Sequence, residues 1–189
     1  DRSYFGHSLA SLGDFDGDGI VDLAVGARKD NTAATGAGAV YILRLNADGT
    51  VKTGGLTQIT SGVNGGPTLS ARDYFGQVAN AGDIDGDGVT DLAVGAYGDD
   101  TGGTNRGAIY LVRLNADGTV KSNGVTKIAN NVNGGPGISN NDQFGSSVAP
   151  IGDINGDGIS DFIVGAQRDS TGGSNQGAVY IVRLDALAS

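Results

Sequence analysis

The stretch Asp14-Phe15-Asp16-Gly17-Asp18-Gly19-Ile20-Val21-Asp22 returns twice, as Asp83-Ile84-Asp85-Gly86-Asp87-Gly88-Val89-Thr90-Asp91 and as Asp153-Ile154-Asn155-Gly156-Asp157-Gly158-Ile159-Ser160-Asp161. Each copy sets an oxygen-bearing side chain at the first, third, fifth and ninth positions of a short glycine-rich loop. Carboxylates crowded this closely repel one another, and a hard divalent cation removes the repulsion. Ca²⁺ accepts about 6–8 oxygens at roughly 2.3–2.6 Å and tolerates irregular geometry. The glycines permit the sharp bend, and the main-chain carbonyl at the seventh position (Ile20, Val89, Ile159) adds an oxygen. The loops therefore read as three Ca²⁺ sites. Asn155 replaces one carboxylate with a neutral amide, which makes the third site the weakest expected binder.

Around each loop the same units recur. Asp14 to Asp83 is 69 residues and Asp83 to Asp153 is 70. A Phe-Gly pair precedes each loop, at Phe5, Phe75 and Phe144, and a Leu-Ala-Val-Gly-Ala type run follows it, from Leu23, Leu92 and Phe162. A Gly-Ala-Val/Ile-Tyr run comes next, with its tyrosine at Tyr41, Tyr110 and Tyr180. Asn46-Ala47-Asp48-Gly49 and Asn115-Ala116-Asp117-Gly118 have the form of hairpin turns. Four strands per repeat follow, the fourth lying within residues 50–60 and 119–129. The second and third runs are apolar on both faces, as expected of strands sandwiched between sheets, and Ala24 and Gly26 would let the next sheet come close. Phe5 to Asp14 and Phe144 to Asp153 are each nine residues, but Phe75 to Asp83 is eight, so the second repeat needs a bulge or a shortened strand start. The third repeat stops early, with Asp185-Ala186-Leu187-Ala188-Ser189 after Leu184.

Composition agrees. All 21 acidic residues are aspartate, a turn and cap former, and glutamate, which suits helix interiors, is absent. Glycine is frequent (35) and proline rare (3), which together with the regular apolar runs fits a turn-rich all-β protein. Eleven of the carboxylates lie in the three loops. Three Ca²⁺ would bring the formal charge of -9 to about -3, so the acidity is mostly metal ligand. Lys and Arg are scattered, which argues against nucleic acid as a partner. There is no cysteine, hence no disulfide framework, and no run is long and apolar enough to span a membrane.

The Phe-Gly pair, the Asp-x-Asp/Asn-x-Asp-Gly-x-x-Asp loop, the Val-Gly-Ala run and the Gly-Ala-Val/Ile-Tyr strand, in that order and three times over, resemble the FG-GAP repeat family. Its members form the blades of the integrin α-subunit β-propeller and of many bacterial surface proteins. The resemblance covers nearly the whole chain and implies an all-β protein of four-stranded blades: one FG-GAP β-propeller region over residues 1–189, with repeats of approximately 1–69, 70–138 and 139–189. It implies Ca²⁺ in the hairpin between strands one and two. The ligands carried over are Asp14, Asp16, Asp18, the Ile20 carbonyl and Asp22; Asp83, Asp85, Asp87, the Val89 carbonyl and Asp91; and Asp153, Asn155, Asp157, the Ile159 carbonyl and Asp161. It places partner binding on the opposite face, at the loops between strands two and three and between blades. Arg28, Tyr97 and Gln167 stand where the family has proline after Gly-Ala, so that turn is less rigid. Propellers close with about 4–8 blades. Three blades, one incomplete, call for further blades from a longer chain or from a homo-oligomer.

The function expected is a non-enzymatic extracellular adhesion or protein-interaction scaffold. Alternatives are a propeller lectin that takes carbohydrate through inter-blade loops, or an accessory module of a secreted hydrolase. The loops are saturated with their own ligands, which favours a structural metal over a catalytic one with open positions. His7, the only histidine, reads as a strand residue near a blade edge, with Gln77 and Ser146 taking its place elsewhere. The three tyrosines read as core packing. No Gly-x-Ser-x-Gly or His-Glu-x-x-His motif occurs, and Asp99 and Asp100 are the first residues an enzymatic reading would test. Residues 28–37, 97–106 and 167–176, and the blade connections 62–73 and 131–143, carry the polar groups a recognition surface would use.

Overall fold

The computed structural model describes residues 2–184. The expected Asp185–Ser189 ending of the third repeat lies outside them. Among the described residues there are eleven strands and no helix. Blade one is β1 (Phe5–Gly13), β2 (Asp22–Ala27), β3 (Ala39–Leu45) and β4 (Val51–Ile59). Blade two is β5 (Gln77–Gly82), β6 (Asp91–Ala96), β7 (Ala108–Leu114) and β8 (Val120–Ala129), and blade three is β9 (Phe144–Gly152), β10 (Asp161–Ala166) and β11 (Ala178–Val182). Every sheet is an antiparallel meander in chain order, as short hairpin connections require.

The eight-residue spacing of the second repeat is resolved by a shortened strand start. In β1 the pairing jumps from Phe5–Ala27 to Ser8–Gly26, so Gly6 and His7 bulge out; β9 does the same between Phe144–Ala166 and Ser147–Gly165. In β5 the register begins at Gln77–Gly95 with no such jump. The missing residue is thus the counterpart of His7 and Ser146. Gln77 occupies the register of Ser8, not that of His7 as simple alignment suggests.

Period-two alternation sends successive residues of the central strands to opposite neighbours. Ala24, Val40 and Ile42 of blade one pack with Leu92, Val94, Tyr110 and Val112 of blade two. The intervening residues of blade two, Ala93, Ile109 and Leu111, pack with Phe162, Val164 and Val182 of blade three. Glycines set the spacing: a Cβ on Gly26 would lie 1.8 Å from the Gly76 carbonyl oxygen, and one on Gly95 would lie 2.1 Å from that of Gly145. Backbone bonds stitch the blades as well, from the Phe75 N–H to Ala37 O and from the Phe144 N–H to Arg106 O, both 2.9 Å. The stack has two uncovered ends. Val179 and Ile181, the blade-three counterparts of the fully buried Val40 and Ile42, are 64% and 61% exposed, and Leu9 on the outer face of blade one is 64% exposed.

Candidate metal centre

Each aspartate loop joins the first two strands of its blade, so all three emerge at the same end of the stack. The first-position carboxylate organises the bend. Asp83 accepts the N–H groups of Gly86 and Asp87 on Oδ1 and of Gly88 on Oδ2, at 2.7–3.0 Å. Asp153 repeats the pattern with Gly156, Asp157 and Gly158, and Asp14 accepts from Gly19 at 2.9 Å. Those N–H donors, Gly158 foremost, hold the Asp153 carboxyl below the usual range. The fifth-position aspartates Asp18, Asp87 and Asp157 accept the N–H of Ile20, Val89 and Ile159, each at 2.9 Å, which fixes the half-buried seventh residue.

Carboxylate oxygens of Asp14, Asp16 and Asp18 lie within 4.8 Å of one another, and so do those of Asp83, Asp85 and Asp87. Two oxygens bound to one Ca²⁺ at about 2.3–2.6 Å are separated by no more than about 5 Å, so the clusters have the right size. Asp16 Oδ1 is buried and has no hydrogen-bond partner, a polar atom that needs a cation or donor. In the third loop Asn155 Nδ2 donates to Asp157 Oδ2 at 3.2 Å and to Leu184 O at 3.1 Å.

The ninth-position aspartates differ from the rest. Asp22, Asp91 and Asp161 are fully buried and stand outside those clusters. Asp91 accepts from the Ile84 N–H at 2.9 Å and from the Leu114 N–H at 2.9 Å. Asp22 does so with Phe15 and Leu45, and Asp161 with Ile154 and Leu184. Each therefore clamps the loop to the chain at the end of the third strand. Burial pushes the Asp91 carboxyl up to about 6 despite its two N–H partners.

Sequence reasoning missed two features. Lys52 Nζ, on β4, lies 2.5 Å from Asp16 Oδ2 and 2.6 Å from Asp18 Oδ2, and Lys121 on β8 sits identically on Asp85 and Asp87. Hydrogen bonding to Asp16 and Asp18 raises the Lys52 ammonium, and the reciprocal bonds lower Asp18 and Asp87. The signal was present as Thr-Val-Lys after each Asp-Gly turn. The second feature is at the opposite end. The Tyr41 hydroxyl donates to Asp30 at 2.8 Å, Tyr110 to Asp99 at 2.7 Å and Tyr180 to Asp169 at 2.5 Å, an invariable spacing of eleven residues. Each ring also meets the Phe of its Phe-Gly pair edge-on at 5.2–5.8 Å; Tyr110 is buried in the core, Tyr180 packs half-buried against it, and Tyr41 is half-buried on the outer face of blade one. Burial and the Asp30 acceptor push the Tyr41 hydroxyl up to about 12. Asp99 is thus engaged by Tyr110 and by Lys127, at 2.8 Å, as a structural group. His7 is exposed on the β1 bulge, with its Nε2 3.2 Å from Gln77 Nε2.

Comparison with known proteins agrees with this architecture. The FG-GAP repeat model matches residues 5–43, 75–112 and 144–182, so each match runs from the Phe-Gly pair through the aspartate loop to the third strand. The chain is similar to integrin alpha-PS2 of Drosophila melanogaster (32% identity over 186 residues, 96% of this chain and 12% of that protein). It is also similar to integrin alpha-V of Gallus gallus (31% over 196 residues, 96% and 15%) and to integrin alpha-5 of Xenopus laevis (30% over 190 residues, 96% and 15%). The chain thus spans about an eighth to a seventh of the relatives it matches. With three matched repeats that fold as three consecutive antiparallel blades, the chain belongs to the FG-GAP repeat family of β-propeller proteins.

Proposed function

We propose that the chain is a calcium-stabilised, non-enzymatic interaction scaffold of integrin-α-like type that works outside the cell. The observation that carries the reading is the convergence of three carboxylates within 4.8 Å in loops one and two, with the Asp16 oxygen left unpartnered. Asp14, Asp16, Asp18 and Asp22 hold the first ion with the Ile20 carbonyl. Asp83, Asp85, Asp87, Asp91 and the Val89 carbonyl hold the second, and Asp153, Asn155, Asp157, Asp161 and the Ile159 carbonyl hold the third. A bound Ca²⁺ supplies charge neutralisation and cross-links the hairpin. The chain's own residues do the rest: the first-position aspartate shapes the turn, and the ninth anchors it to the third strand. Extracellular calcium suits such sites, since modest affinity suffices where the ion is plentiful.

The bare outer faces of blades one and three support a second element of the reading. Each matches a face that is buried between blades elsewhere in the stack. Further blades, from a longer chain or from a second copy, complete the propeller. Among the described residues no helix is long and apolar enough to cross a membrane.

Calorimetry tests the metal. Calcium titration into chelator-stripped protein is expected to show about three sites, with a marked rise in Tm over the protein in EDTA. Equal melting curves in calcium and EDTA would remove the metal from the reading.

A further inference from the structure

At the end of the stack opposite the aspartate loops lies a cleft of about 220 Å³ lined by Arg2, Lys29, Asn31, Thr35, Gly36, Arg72 and Tyr74. We infer that this cleft binds carboxylates presented by an acidic segment of a partner protein. The inference deepens the interaction-scaffold reading and rests on it.

Three cations converge there in a protein of formal charge -9 that has only twelve Lys and Arg. Among the described residues none of the three is in an ion pair, while the lysines at positions 52, 121 and 127 all are. The neighbouring acids are turned inward and occupied: Asp30 is buried and accepts from Thr32 N–H and Tyr41, and Asp73 is buried and accepts from Ser70 N–H. Lys29 Nζ rests 4.8 Å over the Tyr4 ring, which leaves its charge available at the rim.

The repeat provides an internal control. Lys29, Asn31, Arg72 and Tyr74 correspond to Gly98, Asp100, Asn141 and Gln143 one blade on, so the fold itself needs no cation at these positions. Arg72 moreover sits at φ +69°, a left-handed conformation that asparagine adopts readily, and Asn141 has the same φ. An arginine held where asparagine is the easier residue points to work done by its side chain. The planar guanidinium fork matches a carboxylate with two parallel hydrogen bonds. A peptide is favoured over an acidic sugar because the Tyr74 ring is no free platform. One face is stacked on Tyr97 at 5.0 Å, and an atom added to Gly36 would come within 3.2 Å of its edge.

The probe is the blocked peptide acetyl-(Glu-Gly)₃-amide, titrated by calorimetry and by amide NMR into calcium-saturated protein at low salt, beside glucuronic acid and inorganic sulfate. The expected result is peptide binding that shifts the amides of Lys29, Thr35 and Gly36, weakens with salt, and falls about tenfold or more in Arg72→Asn and in Lys29→Ala. Arg72→Asn installs the residue of the next blade, so it folds. Three outcomes overturn the inference: no peptide binding, glucuronate or sulfate binding as tightly as the peptide, or affinity unchanged in both variants. Melting the same preparation in EDTA keeps the readings apart, since a calcium-dependent Tm with no peptide binding leaves the calcium scaffold standing and removes only the cleft.

Discussion

Lys52 places its ammonium 2.5 Å from Asp16 Oδ2, in the middle of the carboxylates that would hold a metal. The fourth strand thus carries a tethered cation into the loop between the first two. Loop one has four aspartates, and with Lys52 among them its formal sum is -3.

Replacing Lys52 or Lys121 with methionine keeps the apolar stem and removes the charge. The variant is expected to bind calcium several-fold more tightly at the affected loop, because a competing cation is gone. The same variant should melt lower than wild type in EDTA, where the carboxylates lose their internal counter-ion. Unchanged affinity in a calcium titration of both variants would make the lysines bystanders.

Asp91→Ala leaves the buried Ile84 and Leu114 N–H groups without an acceptor. Each orphaned donor costs about 1–3 kcal/mol, so the variant should lose roughly 2–6 kcal/mol of stability. Denaturant melts in EDTA isolate this from any metal effect, since the clamp acts on strand three directly. A loss confined to calcium-loaded protein would show that the clamp is secondary to ligation.

The Asp73 carboxyl is pushed up to about 6, by burial first, then by nearby Asp99, against the Ser70 N–H. A carboxyl whose pKa is raised on folding binds more protons folded than unfolded between its ordinary value near 4 and about 6. Stability contributed by this group therefore decreases as pH rises through that window. Asp73→Asn, which keeps an acceptor for Ser70, should remove that component of the pH dependence. The check is Tm against pH from 4 to 7 for both proteins; parallel curves would mean that Asp73 titrates normally.

Ile109 and Ile181 test the open face of blade three. Ile109 is fully buried between blades two and three, whereas Ile181 lies on the uncovered side. Ile109→Ala is expected to cost about 2–5 kcal/mol, and Ile181→Ala well under 1 kcal/mol in the isolated chain. A large loss at Ile181, measured by chemical denaturation at micromolar concentration, would place another blade on that face in solution.

Much of this was legible in the chain itself. The recurrence of the aspartate loop, the Phe-Gly pair and the tyrosine strand determined three meander blades, because each unit has its own local chemistry: turn-forming glycines, doubly apolar strands, and aspartates whose carboxylates cap the loop backbone. Even the small-residue contact at Gly26 followed from the absence of a side chain. Tertiary structure alone decided what depends on distance through space. Lys52 and Asp16 are 36 residues apart, Asp22 and Leu45 are 23 apart, and Arg72 and Lys29 line one cleft only because of how the chain folds. Which of several scattered lysines finds an aspartate, whether a buried carboxylate spends its oxygens on backbone donors, and where unpaired cations gather are all set by how the sheets stack. One-dimensional spacing does not contain that information.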